Sequence, residues 1–155
     1  MEVKVPTDKR LNRPTELARL DPFIGRWITV GETAPSPGKA PIPINASDVY
    51  DWAPGGRFVV HPAYGRFGDL DVSGVEIIGL DPSSGQFSTH FFDGNGTVST
   101  QTLSFENGTW MWRGKHTRCF GTFSTDERTL VAGHERLDEN ERWIPSMTVT
   151  LRKVV

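Results

Sequence analysis

The chain has 155 residues, 36% of them hydrophobic, and a formal net charge of −2 from 17 Lys and Arg against 19 Asp and Glu. That length fits one domain able to bury its own core, and its scattered basic residues form no stripe for a nucleic-acid backbone. One cysteine, Cys119, excludes an internal disulfide and points to a reducing, cytoplasmic setting, while no apolar run reaches the ~18 residues of a membrane span.

The opening, MEVKVPTDKRLNRPTELARL, has no apolar stretch of the kind a secretory signal carries. Residues 1–13 read as a polar, flexible lead-in, and 14–155 as the domain. Pro14 to Leu20 is the one helical stretch: a proline stands in its first turn, Leu17 and Leu20 share a face, and Asp21-Pro22 is expected to stop it.

From there the chain reads as β. Strands are predicted at about 26–33, 46–53, 57–64, 70–80, 86–93, 97–105, 109–116, 117–124, 128–137 and 142–153. Between them lie short separators of hairpin chemistry, such as Ala53-Pro54-Gly55-Gly56, Asp93-Gly94-Asn95-Gly96 and Glu106-Asn107-Gly108. Asn95-Gly96 and Asn107-Gly108 match a type I′ turn, in which both central residues need positive φ. Only 34–45, a Pro-rich connection, is longer; it is expected to stay outside the sheet as a central strand and to lie over an opening. Ten short strands joined in order, after one helix, predict an all-β, antiparallel up-and-down barrel, since closure removes the exposed edges.

Phe23-Ile24-Gly25-Arg26-Trp27 resembles the Gly-x-Trp signature of the calycins, which include lipocalins, fatty-acid-binding proteins and nitrobindin-like barrels. Tyr50-Asp51-Trp52-Ala53-Pro54-Gly55-Gly56-Arg57-Phe58 and Gly79-Leu80-Asp81-Pro82-Ser83-Ser84-Gly85-Gln86-Phe87 resemble the uncharacterised, lipocalin-like DUF1579 family of bacterial proteins. The resemblance runs over most of residues 15–153. It implies a lipocalin-like barrel with an internal cavity and the short helix at its closed end, and it implies no particular activity. It also implies that Trp27 plugs the closed end, with a basic residue near the chain's end lying across the indole; Arg152 matches that place.

Among the side chains that carry chemistry, His61, His90, His116 and His134 show no metal-ligand spacing, so no metal site is predicted. No nucleophile motif accompanies Cys119, which reads as a small buried hydrophobe. Glu32, Glu76 and Glu135 are candidate acid–base groups that cannot be paired without the strand registers, and no catalytic residue is assigned. Alternation puts Val59, His61 and Ala63 on one face, Ser88, His90 and Phe92 on another, and both indoles of Trp110-Met111-Trp112 together. Apolar residues occupy both faces of several strands, which suggests either a homodimer covering the outside or an unusually apolar cavity.

The resulting expectation is a protein that binds a small, largely apolar molecule in the barrel, with Trp52, His61, His90 and Trp112 contributing to the ligand site near the 34–45 loop. Two alternatives stand beside it. One is a biosynthetic or detoxifying enzyme of cyclase or isomerase type, acting on an apolar substrate in the cavity. The other is a nitrobindin-like haem protein with an axial histidine, although Trp27-Ile28-Thr29-Val30-Gly31-Glu32 keeps only one glycine where that resemblance implies a glycine-rich repeat. Apart from haem in that alternative, no cofactor is expected.

Overall fold

The computed structural model describes residues 13–154; most of the lead-in anticipated at 1–13 therefore lies outside the described residues. A 3-10 helix (Thr15–Phe23) precedes ten strands: β1 (Gly25–Thr33), β2 (Pro43–Trp52), β3 (Phe58–Phe67), β4 (Leu70–Leu80), β5 (Phe87–Asp93), β6 (Val98–Glu106), β7 (Thr109–Arg113), β8 (Thr117–Phe123), β9 (Thr129–Leu137) and β10 (Trp143–Lys153). Each strand pairs antiparallel with its neighbours in sequence, and β1 pairs with β10 to close the barrel. The expected all-β barrel is the observed one.

The helix differs from its expectation in type and length. It runs through Asp21-Pro22 and ends with the Ile24 amide donating to the Asp21 carbonyl at 3.0 Å. Leu17, Leu20 and Phe23 recur every third residue and are all buried. Three residues per turn stacks such a triplet on one face, which an α-helix would spread around its axis. That face is inserted into one end of the barrel. The Phe23 ring meets Trp110 at 5.0 Å, Trp112 at 5.9 Å, Phe123 at 4.9 Å and Tyr50 at 5.4 Å, so it touches strands on several sides at once.

Gly25, at φ 142°, makes the transition from helix to β1 in a backbone region that favours glycine. Trp27 follows, 1% exposed, with its Nε1–H donated to the Phe23 carbonyl at 2.8 Å. The basic residue across its indole is Lys153, whose Nζ is 4.9 Å from the ring centroid and also donates to the Pro22 carbonyl at 3.2 Å. Arg152, the residue expected there, is exposed. Strand parity decides the matter: Lys153 is the register partner of Trp27 and shares its inward face, while Arg152 points out.

Prolines mark the irregular places in the sheet. Pro43 is the first residue of β2, so the strand begins inside the Pro-rich connection rather than after it. Pro145 lies at a register shift between β9 and β10. Next to Pro62, the β2–β3 register runs to Asp48↔Ala63 and resumes at Asp51↔Val60, with no ladder pair between. Of the two Asn-Gly turns, Asn107 (φ 52°) and Gly108 (φ 80°) form the anticipated type I′ corner. At Asn95-Gly96 only Gly96 has positive φ, because Asp93 caps the turn by accepting the Asn95 amide at 2.7 Å.

Candidate functional site

The helix fills only one end of the barrel. Above it lies a cavity of about 560 Å³, within the roughly 300–1,000 Å³ typical of small-molecule sites. It opens at the opposite end, past Phe67, Ser73, Asp93, Ser99 and Thr117. The 34–42 connection joins the ends of β1 and β2 at this rim without lining the cavity. Apolar wall comes from Ile44, Trp112, Leu130, Val149 and Leu151.

At the floor is a buried ionic cluster. β2 alternates Ile44, Ala46, Asp48 and Tyr50 inward, β3 turns His61 inward, and β4 sets Glu76 directly opposite it. His61 Nε2 lies 2.7 Å from Asp48 Oδ1, and its Nδ1 lies 2.9 Å from Glu76 Oε1. The side chains of all three residues are only 10–12% exposed. A carboxylate can only accept, so both ring nitrogens must donate and the ring is an imidazolium. Burial alone would lower the pKa of His61; the hydrogen bonds and charges of Asp48 and Glu76 outweigh it and raise the value to about 9. The Thr29 hydroxyl donates to the other oxygen of Asp48. Tyr50 stacks on the imidazole, centroids 3.7 Å apart and planes 11° apart. Its phenol is raised well above the usual value by burial, then by the charges of Glu76 and Asp48.

Beside this cluster, Cys119 Sγ and His134 Nε2 approach to 3.4 Å. Burial pushes the Cys119 thiol up to about 12, with Glu76 adding to the shift. Burial also pushes His134 down to about 4 against the opposing pull of Glu76. Both are therefore neutral near pH 7, so the thiol is not an activated nucleophile. Among the described residues no group of three or more His, Cys, Asp or Glu has the geometry to hold a metal ion.

Of the four residues anticipated at the ligand site, His61 and Trp112 line the cavity. Trp52 does not: it lies beyond Tyr50 at the closed end, half-buried against the core with the Arg13 guanidinium 4.4 Å above its ring. The aromatic residues of β2 thus sit far from the 34–45 loop. His90 is exposed on the outer surface, because Thr89 and Phe91 take the inward positions of β5. Among the three carboxylates considered, only Glu76 faces the cavity. Glu32 is exposed, and Glu135, which does not line the cavity, accepts at Oε1 from Arg118 Nε at 3.1 Å.

Asp48, Tyr50, Thr29 and His134 escaped the sequence reading as site residues. One signal for Asp48 was present: it is the only charged residue on the β2 face that carries Ile44, Ala46 and Tyr50. An acid on an otherwise apolar strand face needs a buried partner.

Two solved structures share the architecture. The crystal structure of Rv2717c from M. tuberculosis has a TM-score of 0.64 at 12% identity, covering 92% of this chain and 99% of that one. The S-type phycobiliprotein lyase CPES from Guillardia theta has a TM-score of 0.57 at 9% identity, covering 97% of this chain and 99% of that one. At such identities the likeness concerns the fold alone. No curated protein matches the chain in sequence. The model of the family described as a protein of unknown function, DUF1579, matches residues 14–153, and the chain belongs to that family.

Proposed function

We propose that this protein binds a small, largely apolar molecule inside its barrel, oriented by the polar cluster at the floor. The observation that carries this reading is the cavity itself: about 560 Å³ of space, walled by aliphatic side chains and Trp112, around one buried ionic cluster. A shaped apolar pocket with a few convergent polar groups is the usual form of a small-molecule site. The fold likeness to a protein called a phycobiliprotein lyase supports the barrel architecture that encloses this cavity. Native mass spectrometry of freshly purified protein should show a retained non-protein mass. A neutral fluorescent probe should also bind and quench tryptophan emission, and Ala132→Phe, which projects a ring from the wall, should block it. Absence of a retained mass together with unchanged probe affinity in a folded Ala132→Phe protein would refute the reading.

The Asp48–His61–Glu76 cluster favours a second reading, an enzyme of isomerase or cyclase type. Glu76, which lines the cavity, would take and return a proton on an apolar substrate, and the His61 imidazolium beside it would hold its charge and orientation. Turnover abolished in His61→Gln, with probe binding retained, would distinguish catalysis from binding. The haem alternative asks for an imidazole nitrogen free to face the cavity. His61 has both nitrogens engaged by carboxylates, and His134 has Nε2 against Cys119, so this arrangement fits an axial ligand poorly.

Among the described residues no helix is long and apolar enough to cross a membrane. The single cysteine supports the reading of a reducing, cytoplasmic compartment. A homodimer would cover Ile28, Val30 and Val131, which are exposed on the outer face of β1 and β9.

A further inference from the structure

The charges at the cavity floor do not balance. Two carboxylates, Asp48 and Glu76, face one imidazolium, and the surrounding groups supply no second cation. Tyr50 from β2, Cys119 from β8 and His134 from β9 are neutral near pH 7. Among the described residues, Arg118 is the only Lys or Arg that lines the cavity. Its guanidinium is committed to Glu135 at 3.1 Å and lies 4.3 Å over the Trp143 ring.

The surplus charge has a place. Asp48 uses one oxygen for His61 and the other for Thr29. Glu76 uses Oε1 for His61, and its Oε2 has no hydrogen-bond partner among the described residues. Glu76 is nonetheless only 8% exposed. Among the described residues no fully enclosed polar side-chain atom lacks a partner, so Oε2 meets the cavity. The Tyr50 hydroxyl is likewise without a partner among the described residues. A buried carboxylate oxygen left open to an apolar cavity costs free energy unless a donor reaches it.

We infer that the ligand carries a cationic nitrogen or strong N–H donor at its buried end, which docks on Glu76 Oε2, with its apolar body lying along Trp112, Leu130, Val149 and Leu151. The inference rests on the binding reading above and narrows it to amines, amidines and N–H-bearing rings. Carboxylates of the same length, fatty acids included, meet the same surplus negative charge and are rejected.

A matched head-group series tests this. Decylamine, decanol and decanoate compete at pH 7 for the cavity with pyrene, a neutral probe that has no N–H, in wild type and in Glu76→Gln, whose amide oxygen can still accept from His61 Nδ1. The amine should displace the probe at least about tenfold more effectively than the carboxylate, with the alcohol between, since a desolvated charge contact discriminates strongly. Glu76→Gln should narrow the amine–carboxylate gap by about tenfold, each competitor's affinity being corrected with the probe affinity measured in the same variant. If the probe binds but decanoate matches or exceeds decylamine, or the gap survives Glu76→Gln, the inference falls while the binding reading stands. If neither the probe nor any member of the series binds, the binding reading falls and this inference with it. Should Glu76→Gln not fold, the wild-type order alone decides.

Discussion

The Tyr50 ring lies flat on the His61 imidazole, 3.7 Å between centroids and 11° between planes. A π-face against an imidazolium is attractive, and it fixes the ring so that each nitrogen meets one carboxylate. The strand registers produce the stack. Asp48↔Ala63 and Asp51↔Val60 on either side bring Tyr50 beside His61 across the interrupted β2–β3 ladder.

Removing His61 should therefore be costly for the fold. His61→Ala leaves Asp48 and Glu76 buried near each other with no cation, and should destabilise the protein by ~3–5 kcal/mol in urea unfolding. Adding Asp48→Asn to that variant should recover part of the loss, because it removes one of the two stranded charges. A cost below ~1 kcal/mol for His61→Ala would mean that the ring is not the charged hub described here.

The two buried histidines act on stability in opposite pH windows. The pKa of His61 is raised from 6.5 to about 9, so its contribution is full below pH 6.5 and is lost as pH rises through about 9. The pKa of His134 is lowered from 6.5 to about 4, so its contribution is full above pH 6.5 and is lost as pH falls through about 4. Chemical denaturation across this range should show His61→Gln removing the alkaline fall and His134→Gln softening the acid one. Ring proton shifts by NMR would report the two values directly.

At the closed end, Trp27→Ala should cost ~3–5 kcal/mol, as large aromatic truncations in cores do. Lys153→Ala should cost less and be non-additive with Trp27→Ala, since the ammonium sits over the indole and holds the Pro22 carbonyl. Arg152→Ala, one residue away and exposed, should change stability by no more than ~0.5 kcal/mol. A coupling of Trp27 to Arg152 rather than to Lys153 would contradict the register.

The turn between β6 and β7 should tolerate Asn107→Gly and resist Asn107→Pro. Asn107 sits at φ 52°, which glycine adopts freely and proline cannot. Thermal melts should place the proline variant at least ~1–2 kcal/mol below the glycine one.

Cys119 should be inert in the native state. Its thiol, pushed up to about 12 by burial, presents almost no thiolate at pH 8, so alkylation by iodoacetamide should await unfolding. Rapid labelling of folded protein would contradict its placement in the wall.

How the sequence maps onto this structure differs between its levels. Alternation, turn chemistry and loop length were enough to place ten strands with ends shifted by at most three residues, because these are local properties of the chain. The parity of β3 and β9 grouped His61 with Val59 and His134 with Leu130, but alternation is symmetric and does not say which face turns inward. Closing the barrel settled that choice, sending His61 in, His90 out, and Lys153 rather than Arg152 onto Trp27. Leu17, Leu20 and Phe23 had a period of three in plain view, yet only the barrel end they plug explains why the segment is 3-10. The floor cluster was the least legible part. Asp48, His61 and Glu76 come from three strands separated by 13 and 15 residues, and their meeting depends on two registers and a closed curvature that no local pattern encodes. The chain's short-range order therefore determined the barrel, whereas burial and cross-strand register, which exist only once it has closed, decided the charge, pKa and reach of the groups inside it.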